Sequence, residues 1–157
     1  MYELIVRFAA DGLVVIIFLL SMYSFAFKIP RNQWWSWGWR IVLAGLTAYL
    51  AAKVVGYFYQ PEALRPFEQR GVEPGAAYLP NPGFPSDHVL FATFLTLAVW
   101  LAAKQTKLAI ILFALTIAMG VARVLALVHT PVDVIGGFVI AWTGSIWYRR
   151  KPRKVVE

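Results

Sequence analysis

Apolar residues in this chain come in long, mostly apolar runs, neither alternating nor confined to one helical stripe. The runs extend from about Phe8 to Phe27, Ile41 to Tyr59, His88 to Ala103, Leu108 to Val128 and Val132 to Tyr148. A helix needs about 20 mostly apolar residues to cross a bilayer, and helices wetted by lipid show no polar face. The pattern therefore predicts an all-α fold, a polytopic membrane helix bundle of about five transmembrane helices, with the third span the shortest. Arg7 before the first run and the Ser24-Phe25-Ala26 stretch resemble a cleaved leader. Glu3 and Asp11 break the basic leader pattern, however, and the run continues to Phe27, so a retained span is expected.

Composition agrees. Hydrophobic residues make up 60% and charged residues 15%, against about 45–50% and 25% in soluble domains. The 157 residues fit one integral-membrane domain over 1–157. With no cysteine, disulfides, thiolate metal sites and Cys catalysis are excluded. The net charge of +7 would suggest nucleic acid in a soluble protein. Here the cations lie between apolar runs, so they read as topology signals and no nucleic-acid partner is expected.

Lys28, Arg31 and Arg40 follow the first run, Lys104 and Lys107 the third, and Arg149, Arg150, Lys151, Arg153 and Lys154 the fifth. With five spans these groups share one side, which the positive-inside rule makes cytoplasmic. The basic tail 149–157 anchors that orientation, and Trp34, Trp35, Trp37 and Trp39 fit an inner interfacial belt. The N-terminus and the loops 60–87 and 123–131 then face outward. The connection from Gln60 to Pro85 is long enough to carry function or form a lid.

Polar residues at membrane depth are costly and need a reason. They gather at the outward ends of the predicted helices: Arg65, the stretch Pro85-Ser86-Asp87-His88, and Arg123 through His129 to Asp133. Thr130, Pro131 and Asp133 have the spacing of an N-cap, first turn and capping box. Asp133 can equally accept a hydrogen bond from His129 and fix its tautomer; the two readings are compatible. Ser86 is a natural N-cap for the third helix, whose free N–H groups offer an anion site beside His88. Arg65 and Arg123 supply planar forks that match phosphate oxygens; snorkelling to headgroups is the competing reading for Arg123. A zinc site built from His88, His129, Asp133 and Asp87 is a rival to phosphate chemistry, but the neighbouring arginines would repel the cation.

These residues resemble the motifs of the type 2 phosphatidic acid phosphatase superfamily, membrane phosphatases related to vanadium haloperoxidases. The family's third motif, Ser-Arg, five residues, His, three residues, Asp, is matched by Ala122-Arg123, His129 and Asp133, with Ala in place of Ser. The second, Pro-Ser-Gly-His, appears as Pro85-Ser86-Asp87-His88, a form similar to the bacterial undecaprenyl pyrophosphate phosphatase branch. The first, Lys, six residues, Arg-Pro, keeps Arg65-Pro66 but has Phe58 at the Lys position. Lys53 is the nearest upstream lysine, and Arg70 is a weaker substitute. The motif region spans 53–137.

The resemblance implies a helical bundle with the site at the outer face of a bacterial inner membrane, no cofactor and no metal. It implies His129 as nucleophile forming a phospho-histidine, Asp133 as its orienter, and His88 as acid and then base. Arg65, Arg123, Ser86, Lys53 and Asp87 are assigned to phosphate binding. The expected activity is hydrolysis of undecaprenyl pyrophosphate to undecaprenyl phosphate and phosphate. Phosphatidylglycerol phosphate or phosphatidic acid is the alternative substrate. A catalytically weak lipid-phosphate binder is an alternative from another class, and a transporter fits less well because the polar residues sit at one face. The partners expected are a lipid phosphate and the bilayer. Finally, Asp133, Gly137 and Ala141 recur every four residues, a small-residue stripe expected to face the third and fourth helices.

Overall fold

The structure is a computed structural model and describes residues 1–148; the basic tail 149–157 lies outside the described residues. Helices α1 (Tyr2–Arg7) and α2 (Leu13–Lys28) are joined without a break by a π-helical turn at Phe8–Gly12. A short 3-10 turn at Arg31–Gln33 leads into α3 (Trp34–Phe58), and α4 (Pro66–Arg70) lies within the long loop. Then follow α5 (Asp87–Leu101), α6 (Thr106–Leu125) and α7 (Pro131–Ala141), the last continued by 3-10 turns over Trp142–Tyr148. All five apolar runs are thus helical, and there is no strand among the described residues.

Three of these helices are long and apolar enough to cross a membrane: Tyr2–Lys28, Arg31–Phe58 and Thr106–Leu125. The other two are shorter for a structural reason. α5 is the central element, and α2, α3, α6 and α7 all pack on it. Val89, Ala92, Leu95 and Val99 of α5 are essentially inaccessible, so this helix meets protein rather than lipid and can carry Thr93 and Thr96 in its interior face. Thr96 returns its hydroxyl to the Ala92 carbonyl at 2.8 Å. α7 presses on α5 through Gly137, where an added Cβ would lie 2.9 Å from the Ser86 carbonyl oxygen and 3.1 Å from the Leu90 nitrogen. The small-residue stripe therefore faces α5 as expected. Its second neighbour is mainly α3 rather than α6, with Ala141 packed in a cluster with Ala52 and Leu90.

The helices alternate in direction, which sorts the chain into two ends. At one end, Ile29, Trp37, Ala102 and Tyr148 form a cluster, and Trp147 donates to Thr47 at 2.9 Å. At the other lie the π turn, the end of α3, the starts of α5 and α7, and the end of α6. The loop 59–86 is strapped over this second end. Gln60 donates to the Phe84 carbonyl at 3.0 Å and accepts the Phe84 N–H at 3.3 Å, while Phe67 and Gly75 each donate to the turn after α6 at 3.0 Å.

Candidate active site

Each helix end at this pole delivers a polar group. α6 delivers Arg123 in its last turn, and Leu127 then takes a left-handed φ of 60°. That reversal brings His129 back over the bundle before Thr130 starts α7. Thr130 caps α7: its Oγ1 accepts from Asp133 N at 3.3 Å, and its own N–H donates to Asp133 Oδ2 at 2.8 Å. The same Oδ2 lies 3.5 Å from His129 Nδ1, at the outer edge of hydrogen-bond distance. One carboxylate thus closes the cap and stands beside the histidine, whose Nδ1 has no hydrogen-bond partner among the described residues. The cap is the shorter contact, so it fixes the carboxylate and the carboxylate faces the imidazole. His129 Nδ1 is wholly buried, which leaves Nε2 as the nitrogen free to react.

Ser86 precedes α5 and donates its N–H to the Asp133 carbonyl at 3.0 Å, locking the starts of α5 and α7 together. Its hydroxyl makes no cap bond. Instead Ser86 Oγ is buried with no partner, a state that costs about 1–3 kcal/mol unless something fills it. His88, in the first turn of α5, is partly buried, and its side chain forms no hydrogen bond among the described residues. Its electrostatic neighbours include Arg123, His129 and Asp87.

Arg65 starts α4 through Pro66 in the first helical position, and its N–H donates to Glu68 at 2.7 Å. Its guanidinium turns inward, donating to Val128 O at 2.6 Å and to Asn81 O and Oδ1 at 3.0 and 2.9 Å. Arg123 is 1% exposed and donates to Asp11 Oδ1 at 3.0 Å and Ala77 O at 2.8 Å. It is not snorkelling. Both forks are held by protein, and both charges act on His129.

Lys53 reaches Asp87 Oδ1 at 3.3 Å, and Asp87 Oδ2 accepts from Asn81 Nδ2 at 3.0 Å. A chain of contacts thus runs from Lys53 through Asp87 and Asn81 to Arg65. Asp87 thus meets the lysine and the amide. Among the described residues no three His, Asp or Glu side chains are grouped as metal ligands.

Asp11 and Asn81 are not among the site residues to which the sequence points. Asp11 did carry a signal, as an acid at the edge of an apolar run. Nothing near Asn81 marked it, because its role depends on how the loop folds.

Burial pushes the His129 imidazole below its usual pKa, and the charges of Arg123 and Arg65 push the same way. Asp133 opposes them. The folded protein therefore holds His129 neutral at neutral pH, the form that keeps a lone pair on the ring.

A family model described as the PAP2 superfamily matches residues 33–157. The chain belongs to the PAP2 superfamily. This membership makes it a membrane protein of the phosphoric ester hydrolase type. No curated protein and no solved structure matches the chain. The family match begins after the first helix, so Asp11 lies outside it.

Proposed function

We propose that this PAP2-superfamily protein hydrolyses a polyprenyl pyrophosphate, in the manner of undecaprenyl pyrophosphate going to undecaprenyl phosphate and inorganic phosphate. The observation that carries the reading is the buried, unpartnered Ser86 hydroxyl at the start of α5, flanked by His88 and by the His129–Asp133 pair. A phosphoryl oxygen there would satisfy the hydroxyl and meet the positive end of a 15-residue helix. Arg65 and Arg123 add positive charge around it. Phosphoryl transfer needs mainly positioning and charge neutralisation, and this cluster offers both.

In the proposed reaction His129 Nε2 attacks the terminal phosphorus. The Nε2–P bond forms as the P–O bond to the lipid phosphate breaks, and His88 protonates the departing oxygen. Water then attacks the phospho-histidine, with His88 taking its proton, and phosphate leaves as the N–P bond breaks. His88 acts first as acid and then as base. Asp133 holds the His129 tautomer and stabilises the cation formed during transfer.

The orientation proposed puts this pole outside a bacterial plasma membrane. Lys28, Arg31, Lys104 and Lys107 belong to the opposite pole, as the positive-inside rule requires of a cytoplasmic face. The test is phosphate release by purified protein from undecaprenyl pyrophosphate, phosphatidylglycerol phosphate and phosphatidic acid. Release from the pyrophosphate is expected to dominate. Release from a diacyl phosphate alone would refute the substrate assignment. A second reading, a catalytically weak lipid-phosphate binder, is favoured by the protein contacts on both arginine forks. It predicts lipid binding without release from any of the three.

A further inference from the structure

Helices α2 and α3 follow one another in the chain but do not pack together. Among the described residues each lies against α5, and a slot of about 1190 Å³ opens between them. Pockets that enclose drug-sized molecules span about 300–1,000 Å³, so this one takes something larger. Phe91 and Phe94 of α5 form its floor, with Phe18 of α2 and Leu46 of α3 on its flanks. Its charged and amide groups stand at one end only, where Lys53, Asn81 and Asp87 line it. Those three are the contact chain that leads to Arg65, so the polar end of the slot borders the cluster on its Arg65 side. At the other end the lining reaches Gly38 and Trp34. From Lys53 to Gly38 the rise along α3 is about 22 Å.

We propose that this slot holds the hydrocarbon tail of a polyprenyl pyrophosphate while its pyrophosphate lies at His129, and that Gly38 sets how far the tail reaches. This rests on the phosphatase reading above. The slot runs lengthwise along α3 from its polar mouth, and a polyprenyl lipid has one long chain to lay along it. Lys53, half exposed at the mouth, meets the phosphate nearer the lipid. Gly38 has no atom within 4 Å of where a Cβ would stand. A side chain there enters free space in the slot and displaces no protein atom.

The experiment uses the full chain in detergent and measures kcat/KM for phosphate release from undecaprenyl and geranyl pyrophosphate. Gly38→Phe is expected to lower the long-to-short ratio about tenfold, because the far part of a long tail loses its burial. Leu46→Trp, halfway along the slot, should lower the same ratio further. An unchanged ratio in both variants overturns the proposal. An independent measurement on the unaltered protein uses farnesyl pyrophosphate with a diazirine at its tail end. Photolabelling is expected within 34–46 or 18–25, and labelling confined to other segments overturns the proposal. Failure of the phosphatase reading shows separately, as no phosphate release from either substrate by the unaltered chain, while the photolabelling still decides the tail site.

Discussion

Arg123 Nη1 meets Asp11 Oδ1 at 3.0 Å, an ion pair joining residues 112 positions apart. Asp11 Oδ2 also accepts the Ala77 N–H at 3.0 Å, and Arg123 donates to the Ala77 carbonyl at 2.8 Å. The first helix, the loop and α6 are therefore tied at one arginine. The acid sits in the π-helical turn Phe8–Gly12, a type of irregularity that often marks functional positions. Asp11→Ala leaves a buried guanidinium without its counter-ion. It is expected to cost about 2–3 kcal/mol, less than for a wholly buried pair because Asp11 is partly exposed. Thermal unfolding in detergent checks the stability. Phosphate release should fall with it, since the arginine loses the contact that aims it.

His129→Ala is expected to abolish both phosphate release and the acid-labile phospho-enzyme trapped by rapid quench. His88→Ala removes the proposed proton donor and should lower turnover by about 10²–10⁴ while leaving some phospho-enzyme detectable. Unchanged release in both variants would sink the enzyme assignment.

The acid limb of activity follows from the lowered His129 pKa. Burial is the main cause, Arg123 and Arg65 act with it, and Asp133 acts against it. The free histidine value is about 6.5. Stability from keeping His129 neutral is fully present above that value and is lost as pH falls through the lower folded value. The proposed nucleophile is neutral over the same range, so its protonation should limit kcat/KM only below about 6.5. Asp133→Asn removes the group that raises the pKa. Its residual activity should show an acid limb shifted further down. A limb shifted upward would contradict the assigned contact.

Gly137 sets the approach of α7 to α5. A Cβ there meets backbone atoms of Ser86 and Leu90 at 2.9 and 3.1 Å, which cannot rotate away. Gly137→Ala is expected to destabilise by about 1–3 kcal/mol. It should also lower activity, because the spacing between Ser86 and Asp133 widens. Melting temperature and phosphate release are the paired measurements.

Lys53→Ala separates binding from folding. Its pair with the half-buried Asp87 remains open to solvent and contributes only about 0–1 kcal/mol to stability. KM for a lipid pyrophosphate should rise and become less sensitive to salt, with the melting temperature nearly unchanged. A fall in melting temperature without a change in KM would remove Lys53 from the site.

The chain's own order of residues determined a good deal. Run length and missing charge specify helices at membrane depth, because an apolar segment in lipid must satisfy its backbone internally. The local spacing of Thr130, Pro131 and Asp133 specifies a capped helix start, and it appears as read. Those features depend on neighbours a few residues apart. What only the tertiary structure decided depends on distant segments meeting. Asp11 became the partner of Arg123, and Asn81 the bridge between Arg65 and Asp87, because the loop folds back over the bundle. Ser86 lost its cap bond and kept a buried, unpartnered hydroxyl. α5 turned out to be wrapped by protein on most sides, so its shortness reflects a central place and not a weak span. The gap between α2 and α3 was invisible in the sequence for the same reason. Both helices read as lipid-facing, and only their shared packing on α5 shows that they stand apart.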